Sequence, residues 1–213
     1  MNNRRKLIIA FGAGALAARF AFAQPAAKVR RIGLLRESEH ALSIVSLDAF
    51  KAGMRDLGYA ENRDYVIEVR SAKGDIARLP ALAAELLALK VDVILATGTP
   101  SAVAAFNVTP DVPIVISTVG DPVGSRLAVS LRRPGRNVTG LSNGVGTALI
   151  TKRLDLLRQI VPGLQRVGLL YIPENGSDVL GLRQFEDDCA TLKFKPLPAR
   201  VRKVEDLAAA FDT

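Results

Sequence analysis

The fold is decided by residues 91–125, VDVILATGTPSAVAAFNVTPDVPIVISTVGDPVGS. This stretch contains two apolar runs, at 91–96 and 114–117, and each run ends in a short polar turn. Short runs rich in β-branched residues are typical of strands that are buried on both faces. The alanine-rich segment between the runs has the composition of a helix. The stretch therefore predicts a strand, a crossover helix and a second strand parallel to the first.

Both polar turns then lie at the carboxyl ends of parallel strands. In open α/β sheets this is the edge at which ligands bind. We therefore expect a pocket there.

The same alternation of strand and helix continues on both sides of this stretch. The remaining strands of a first sheet are predicted at 29–35, 65–70 and 138–141, and further helices at 44–57, 77–89 and 123–131. Helices between consecutive strands favour an α/β fold with a parallel, doubly wound sheet. Residues 28–142 should form this N-terminal lobe.

A glycine-rich polar stretch at 142–146 follows, and we interpret it as a crossing into a second lobe. The next predicted elements are a helix from Thr147 to about 161, a buried strand at 167–172, a helix at 179–192, a strand starting near Phe194 and a helix at 203–211. Residues 143–213 are thus expected to form a partial second α/β lobe.

The N-terminus has the three parts of an export signal. Basic residues Arg4, Arg5 and Lys6 precede an apolar stretch at 7–18, and Ala21-Phe22-Ala23 has the small-residue pattern of a cleavage site. The apolar run is shorter than the roughly 20 residues that span a membrane, so we expect cleavage after residue 23 and no direct membrane insertion afterwards. Both the twin-arginine and the general secretory route are compatible with this leader, and either gives a periplasmic or extracytoplasmic location.

Charge and rare residue types exclude several classes. The net charge of +8 falls to +4 without the leader, and the remaining basic pairs are not interleaved with aromatic residues, which argues against nucleic-acid binding. Cys189 and His40 are the only cysteine and histidine, so an internal disulfide, a metal cluster and a Ser-His-Asp triad are not expected. No cofactor fingerprint is present, and we expect no cofactor, no metal and no enzyme activity.

Polar residues follow three predicted strands at the expected edge. They are Ser38, Glu39 and His40 after the first strand, Gly98, Thr99 and Ser101 after the third, and Thr118 and Asp121 after the fourth. Helix-start amides and a hydroxyl suit a ligand carboxylate, while Asp121 suits an ammonium group, which favours an amino acid as ligand. Asn143, Glu174 and Asn175 are weaker candidates across the cleft.

Each of these residues also has a structural alternative. Thr99 and Thr118 are compatible with a helix-capping role, and Asp121 before Pro122 with fixing a turn. His40 is compatible with a solvated position. The sequence leaves these alternatives open.

The segments GLLRESEHA (33–41), RLPALAAELLALKVDVILATGTPSAVAA (78–105) and VPIVISTVGDPVGSRLAVSLRRPGRNVTGLSN (112–143) resemble the ABC-transporter substrate-binding protein family typified by tryptophan-binding proteins. This resemblance implies the type I periplasmic-binding-protein fold, in which two Rossmann-like lobes close over a small ligand and a membrane permease receives it. Two departures stand out. Family members carry a complete second lobe, so we expect a fragment or a truncated product, and Ala41 replaces the proline that usually follows the family's histidine.

Three function classes follow. The favoured one is the extracytoplasmic solute-binding component of an ABC importer, with an amino acid or similar small organic ligand. A ligand-binding sensory domain that signals through a separate membrane partner is the alternative. A doubly wound enzyme is the third, and it would need a cofactor fingerprint that the end of the first strand lacks.

Overall fold

A computed structural model describes residues 28–39, 41–144 and 148–212. The predicted export signal, His40 and Thr147 lie outside the described residues.

The first lobe is built on a five-stranded parallel sheet with strand order β2-β1-β3-β4-β5. Its elements are β1 (Arg30–Arg36), α1 (Ala41–Asp56), β2 (Tyr65–Ser71), α2 (Leu79–Ala88), β3 (Val93–Thr97), α3 (Thr99–Val108), β4 (Ile114–Val119) and β5 (Val138–Ser142), with a 3-10 turn at Ile76–Arg78 before α2. The α/β class, the parallel sheet and the crossover helix between β3 and β4 are confirmed.

The two faces of this sheet differ in what covers them. On one face, Leu35, Ile94 and Ile114 are completely buried in a core shared with α2 and α3. On the other face, Leu34 of β1 lies beside Leu95 of β3, and Leu95 beside Val115 of β4. This second row is the floor of a cavity beneath α1.

The strand order places the topological switch between β1 and β3. The chain leaves β1 towards β2 at one side and returns to β3 at the other, so the loops after β1 and β3 diverge and leave a crevice at the carboxyl edge. Arg36 is paired with Thr97 at the ends of these strands. The next residues, Glu37 and Gly98, therefore flank the crevice.

The second lobe contains α4 (Ala148–Ile160), β6 (Arg166–Tyr171), α5 (Gly176–Leu192), β7 (Lys195–Arg200) and α6 (Asp206–Phe211), with β6 and β7 parallel. Its core consists of five buried residues, namely Leu154, Val167, Phe185, Cys189 and Phe194. Burial, and after it the charges of Asp188 and Glu186, raise the pKa of the Cys189 thiol. A thiol of raised pKa stays protonated, which fits a packing role for this cysteine.

One predicted element is wrong. The helix expected at 123–131 is absent, and residues 122–126 form turns instead. The Asp121 carboxylate accepts the amides of Val123 and Gly124, and Arg126 adopts a φ of 60°. An Asp-Pro start and a left-handed residue favour a compact turn over a helix.

Candidate functional site

The crevice between β1 and β3 holds a buried carboxylate. Gly98 is the N-cap of α3, with φ 83° and ψ 161°, a conformation that essentially only glycine adopts. A Cβ at Gly98 would overlap the Glu37 carboxylate, so the missing side chain makes room for Glu37. The amide of Ser101 in the first turn of α3 donates to the same carboxylate. Glu37 therefore sits at the positive end of a helix.

Burial is the main cause of an altered charge state at Glu37. It raises the pKa of this carboxyl from 4.5 to about 7, and the negative charge of Asp178 on α5 of the second lobe adds to the rise. The hydrogen bond from the Ser101 amide acts in the opposite direction. Oε1 of Glu37 is buried and has no hydrogen-bond partner among the described residues. Glu37 thus exchanges its proton near neutral pH.

A cavity of about 450 Å³ extends from Glu37 along the less covered face of the sheet. Its floor is apolar, and Leu47 and Phe50 of α1 form a wall. The polar rim at the carboxyl edge is formed by Arg36, Glu37, Ser38, Thr97, Ser117 and Thr118. A cavity of this size with an apolar floor and a polar rim has the general features of a small-molecule site.

Thr118 occupies a strained position on this rim. Its φ is 58°, which is rare for a β-branched residue, and the pairing of β4 with β5 is irregular between Ile116 and Val119. Its hydroxyl donates to the carbonyl of Ser117 at 2.7 Å, and the side chain is exposed. Backbone strain of this kind is concentrated at functional sites.

The two lobes meet through their helix N-termini. The hydroxyl of Thr99 in α3 lies 2.9 Å from the hydroxyl of Ser177 in α5, and it accepts the Gly120 amide at 3.2 Å. Thr99 is only 4% exposed. Asn175 caps α5 by accepting the Ser177 amide at 3.1 Å. The loop after β4 and both helix starts thus converge on one point between the lobes.

A second cavity, of about 370 Å³, opens beside this contact. The first lobe contributes Gly120 and Asp121 to it, and Asn143 lies on the crossing. The second lobe contributes, among others, Arg153, Tyr171, Ser177 and Asp178. Burial raises the pKa of Asp178, while the Ile172 amide that donates to it at 2.9 Å lowers it. Carboxylates from both lobes and the Arg153 cation therefore face a shared space.

The predicted site residues in the described part of the chain fall into four groups. Ser38, Gly98 and Thr118 line the larger of these two cavities, whereas Asp121 and Asn143 line the smaller one. Thr99 makes the contact between the lobes. The others line neither of the two: Ser101 is completely buried, Glu39 is exposed 3.6 Å from Arg36, Asn175 caps α5, and Glu174 binds Arg202 at 2.6 Å and lines a third cavity, of about 520 Å³.

Three residues of this region, namely Glu37, Ser177 and Asp178, are not among the site residues predicted from the sequence. Glu37 directly follows the first strand, so the strand-end rule that selected Ser38 could have selected it as well. Ser177 and Asp178 lie in the first turn of α5, and only the packing of the two lobes brings them to the cleft.

No helix in the described residues is both long and apolar enough to cross a membrane. Within the same ranges, no group of three or more His, Cys, Asp and Glu residues could hold a metal ion.

Comparison with known proteins identifies relatives of this architecture. A family model described as ABC transporter substrate binding protein matches residues 31–213. A tyrosine-binding protein of Clostridioides difficile is 35% identical over 148 residues, which cover 68% of this chain and 41% of the relative. The chain thus spans less than half of that relative's length.

Each of three solved structures matches 86% of this chain, and the match covers 61% of the solved chain. A conserved domain protein from Vibrio cholerae is 27% identical, with a TM-score of 0.77. A complex with L-Trp from Streptococcus pneumoniae is 21% identical, with a TM-score of 0.74. The ligand-free, open structure of a substrate binding protein with adhesive properties from Clostridium difficile is 27% identical, with a TM-score of 0.57.

Proposed function

This chain belongs to the family of ABC transporter substrate-binding proteins, and on that premise we propose that it binds an amino acid between its two lobes for delivery to a membrane permease. The ligand closes the lobes by contacting both, and the permease receives the closed form. Such a role requires an extracytoplasmic location, to which the predicted export signal would direct the chain.

The convergence of two helix N-termini between the lobes is the observation that supports this proposal most directly. α3 begins at Thr99 and α5 at Gly176, and the hydroxyls of Thr99 and Ser177 meet there. Helix N-termini attract anions, since free amides and the helix dipole favour negative charge. A ligand carboxylate is therefore the group that this point between the lobes suits.

Carboxylates around the same cleft suit the other end of an amino acid. Glu37 lies on the first lobe, Asp178 on the second, and Asp121 lines the cavity between them. A charged hydrogen bond from an ammonium group to a carboxylate is roughly twice as strong as a neutral one. A zwitterion satisfies both sets of groups at once, which a simple acid or amine does not.

Two relatives narrow the choice of side chain. One is named for tyrosine, and a neighbour with the same fold was solved with L-Trp. Leu34, Leu47 and Phe50 give the larger cavity an apolar floor and wall. We therefore propose aromatic amino acids as the first ligands to test.

Isothermal titration calorimetry of the purified chain tests this proposal. L-tyrosine and L-tryptophan are compared with tyramine, which lacks the carboxylate, and with 3-(4-hydroxyphenyl)propionate, which lacks the ammonium group. We expect 1:1 binding of an amino acid and at least about tenfold weaker binding of both analogues, because each leaves a charged site unpaired. The proposal fails if the analogues bind as tightly, or if no amino acid produces heat of binding.

A further inference from the structure

Glu37 and Asp178 lie on opposite sides of the contact between the lobes, each next to a residue beside that contact: Glu37 packs against Gly98, which precedes Thr99, and Asp178 follows Ser177. Glu37 follows β1 and rests against the start of α3, while Asp178 lies in the first turn of α5. Asp178 is close enough to raise the energy of a negative charge on Glu37. Opening the lobes moves Asp178 away together with α5, so the closed form brings together two carboxylates that the open form separates.

The charged groups around Glu37 include Lys73 and Asp75, in the loop whose Gly74 amide donates to the Glu37 carbonyl at 2.8 Å. The elements that pack around it, α3, β3 and β4, carry no ionisable side chain, and α1 contributes Ser46, Leu47 and Phe50 to the shared cavity. Arg36 is the cation that lines this cavity, and its guanidinium lies 3.6 Å from Glu39. On the side of Asp178, the smaller cavity holds Asp121 and Arg153.

We propose that closure of the lobes is coupled to the uptake of one proton by Glu37. The population of the closed form relative to the open form then increases as the pH falls. This inference rests on the proposed function only in assuming that the lobes open and close. It makes the pH of the surrounding medium a control on ligand capture and release.

The sign follows from the charge states in the two forms. In the closed form, burial and Asp178 hold the pKa of Glu37 at about 7, against an ordinary value of 4.5. Opening the lobes removes Asp178, the charge that the second lobe contributes, so the open form has a lower pKa at Glu37 and releases the proton first as the pH rises. Between the pKa values of the two forms, one proton per closing event changes the closing equilibrium by at most about tenfold per pH unit.

Double electron–electron resonance on the ligand-free chain tests this coupling. Spin labels are attached to cysteines introduced at Asp111 and Gln165, which are exposed residues of the first and second lobes, while native Cys189 is buried and stays unlabelled. We expect the population at the short distance to grow relative to the long one as the pH is lowered from 8.5 to 5.5. In Glu37→Gln, which mimics the protonated acid, that ratio should be high and independent of pH.

Controls separate Glu37 from other groups. Glu186→Gln removes a carboxylate from α5 of the second lobe and should leave the pH dependence intact. An NMR titration of the Glu37 carboxyl provides a second readout. A pKa near 4.5 with distances that do not change with pH overturns the proposal, as does an unchanged pH dependence in Glu37→Gln. The proposed function fails separately if neither L-tyrosine nor L-tryptophan changes the distance between the spin labels at any pH tested.

Discussion

The hydroxyl oxygens of Thr99 and Ser177 lie 2.9 Å apart, although 78 positions separate the two residues in the sequence. Thr99 is the first residue of α3 in one lobe, and Ser177 lies in the first turn of α5 in the other. Thr99 Oγ1 also accepts the Gly120 amide, so one buried hydroxyl joins two helix starts and the loop after β4. This bond exists only while the lobes are together.

Thr99→Val should weaken ligand binding. Valine has nearly the same shape but cannot pair with Ser177 or accept the Gly120 amide, and a lost hydrogen bond costs about 0.5–1.5 kcal/mol, with more for a buried group left unpaired. We expect the Kd of the amino acid found by calorimetry to rise by about 5- to 20-fold. Thr191→Val is the matched control, because that hydroxyl bonds within its own helix, to Asp187 at 3.1 Å. Equal affinities of the two variants would contradict the role of Thr99.

Gly98→Ala should destabilise the first lobe more than Gly74→Ala. Both glycines have positive φ, but a Cβ at Gly74 meets open space while one at Gly98 meets Glu37. Gly74→Ala therefore reports the backbone cost alone, about 1–2 kcal/mol, and Gly98→Ala adds the collision and a conformation almost restricted to glycine. Urea unfolding measures both.

The collision can be separated from the backbone cost at Gly98 itself. Adding Glu37→Ala to Gly98→Ala removes the overlapping carboxylate and should restore part of the lost stability. If the double variant is no more stable than the sum of the two single changes predicts, Glu37 and Gly98 do not interact.

Much of the first lobe could be predicted from the sequence, because its buried strands are short apolar runs bounded by turns. Residues 91–96 and 114–117 predicted β3 and β4, and the alanine-rich segment between them predicted α3. The false helix at 123–131 arose because apolar spacing does not report backbone strain, such as the φ of 60° at Arg126. The boundary at residue 142 and the individual ligand contacts stay predictions.

The candidate site was harder to predict, for a physical reason. Four adjacent residues, from Arg36 to Glu39, are all polar, and the sequence does not show which of them faces the crevice. That is decided by the register of β1 against β3, which pairs Arg36 with Thr97 and so brings Glu37 beside Gly98. Likewise, Ser177 and Asp178 reach the cleft through the packing of one lobe against the other.

Glu37→Gln should change how stability depends on pH. The pKa of Glu37 is raised to about 7 in the folded chain, so the folded state holds this proton more tightly than the unfolded state does. Stability from this group is fully present below pH 4.5 and is lost as the pH rises through about 7. The slope is limited to about 1.4 kcal/mol per pH unit, the value for a single proton.

The measurement is the free energy of unfolding at pH 5 and pH 8. Glutamine lacks the charge, so the free energy of unfolding of the variant should rise relative to that of the natural chain at pH 8 and not at pH 5. If the variant differs from the natural chain by the same free energy at both pH values, Glu37 does not titrate in this range.

Asp188→Ala should unfold the second lobe in preference to the first. Asp188 is buried and accepts the Thr151 hydroxyl at 2.6 Å and the Gln184 amide at 2.8 Å, which ties α4 to α5. Without the Asp188 carboxylate, two hydrogen-bond donors beside a small core lose their acceptor, at a cost of about 1–3 kcal/mol for each group left unsatisfied. Hydrogen exchange should increase in peptides from 166–200 and stay unchanged in peptides from β1 and β3. Asp188→Asn keeps an acceptor, so it should show a smaller increase, and uniform exchange in both lobes would refute this local role.

Two substitutions at Asp121 decide between its alternatives. One oxygen, Oδ1, accepts the amides of Val123 and Gly124 at 3.1 and 2.8 Å, which fixes the turn after β4, and the residue also lines the cavity between the lobes. Asp121→Asn keeps an acceptor for the turn but removes the charge, whereas Asp121→Ala removes both.

If Asp121 binds a ligand ammonium group, Asp121→Asn should weaken amino acid binding by about tenfold or more with little change in melting temperature, since hydrogen bonds to charged groups contribute about 1.5–3 kcal/mol. If Asp121 only holds the turn, Asp121→Asn should bind normally and Asp121→Ala should lower the melting temperature, and calorimetry with thermal unfolding distinguishes the two outcomes.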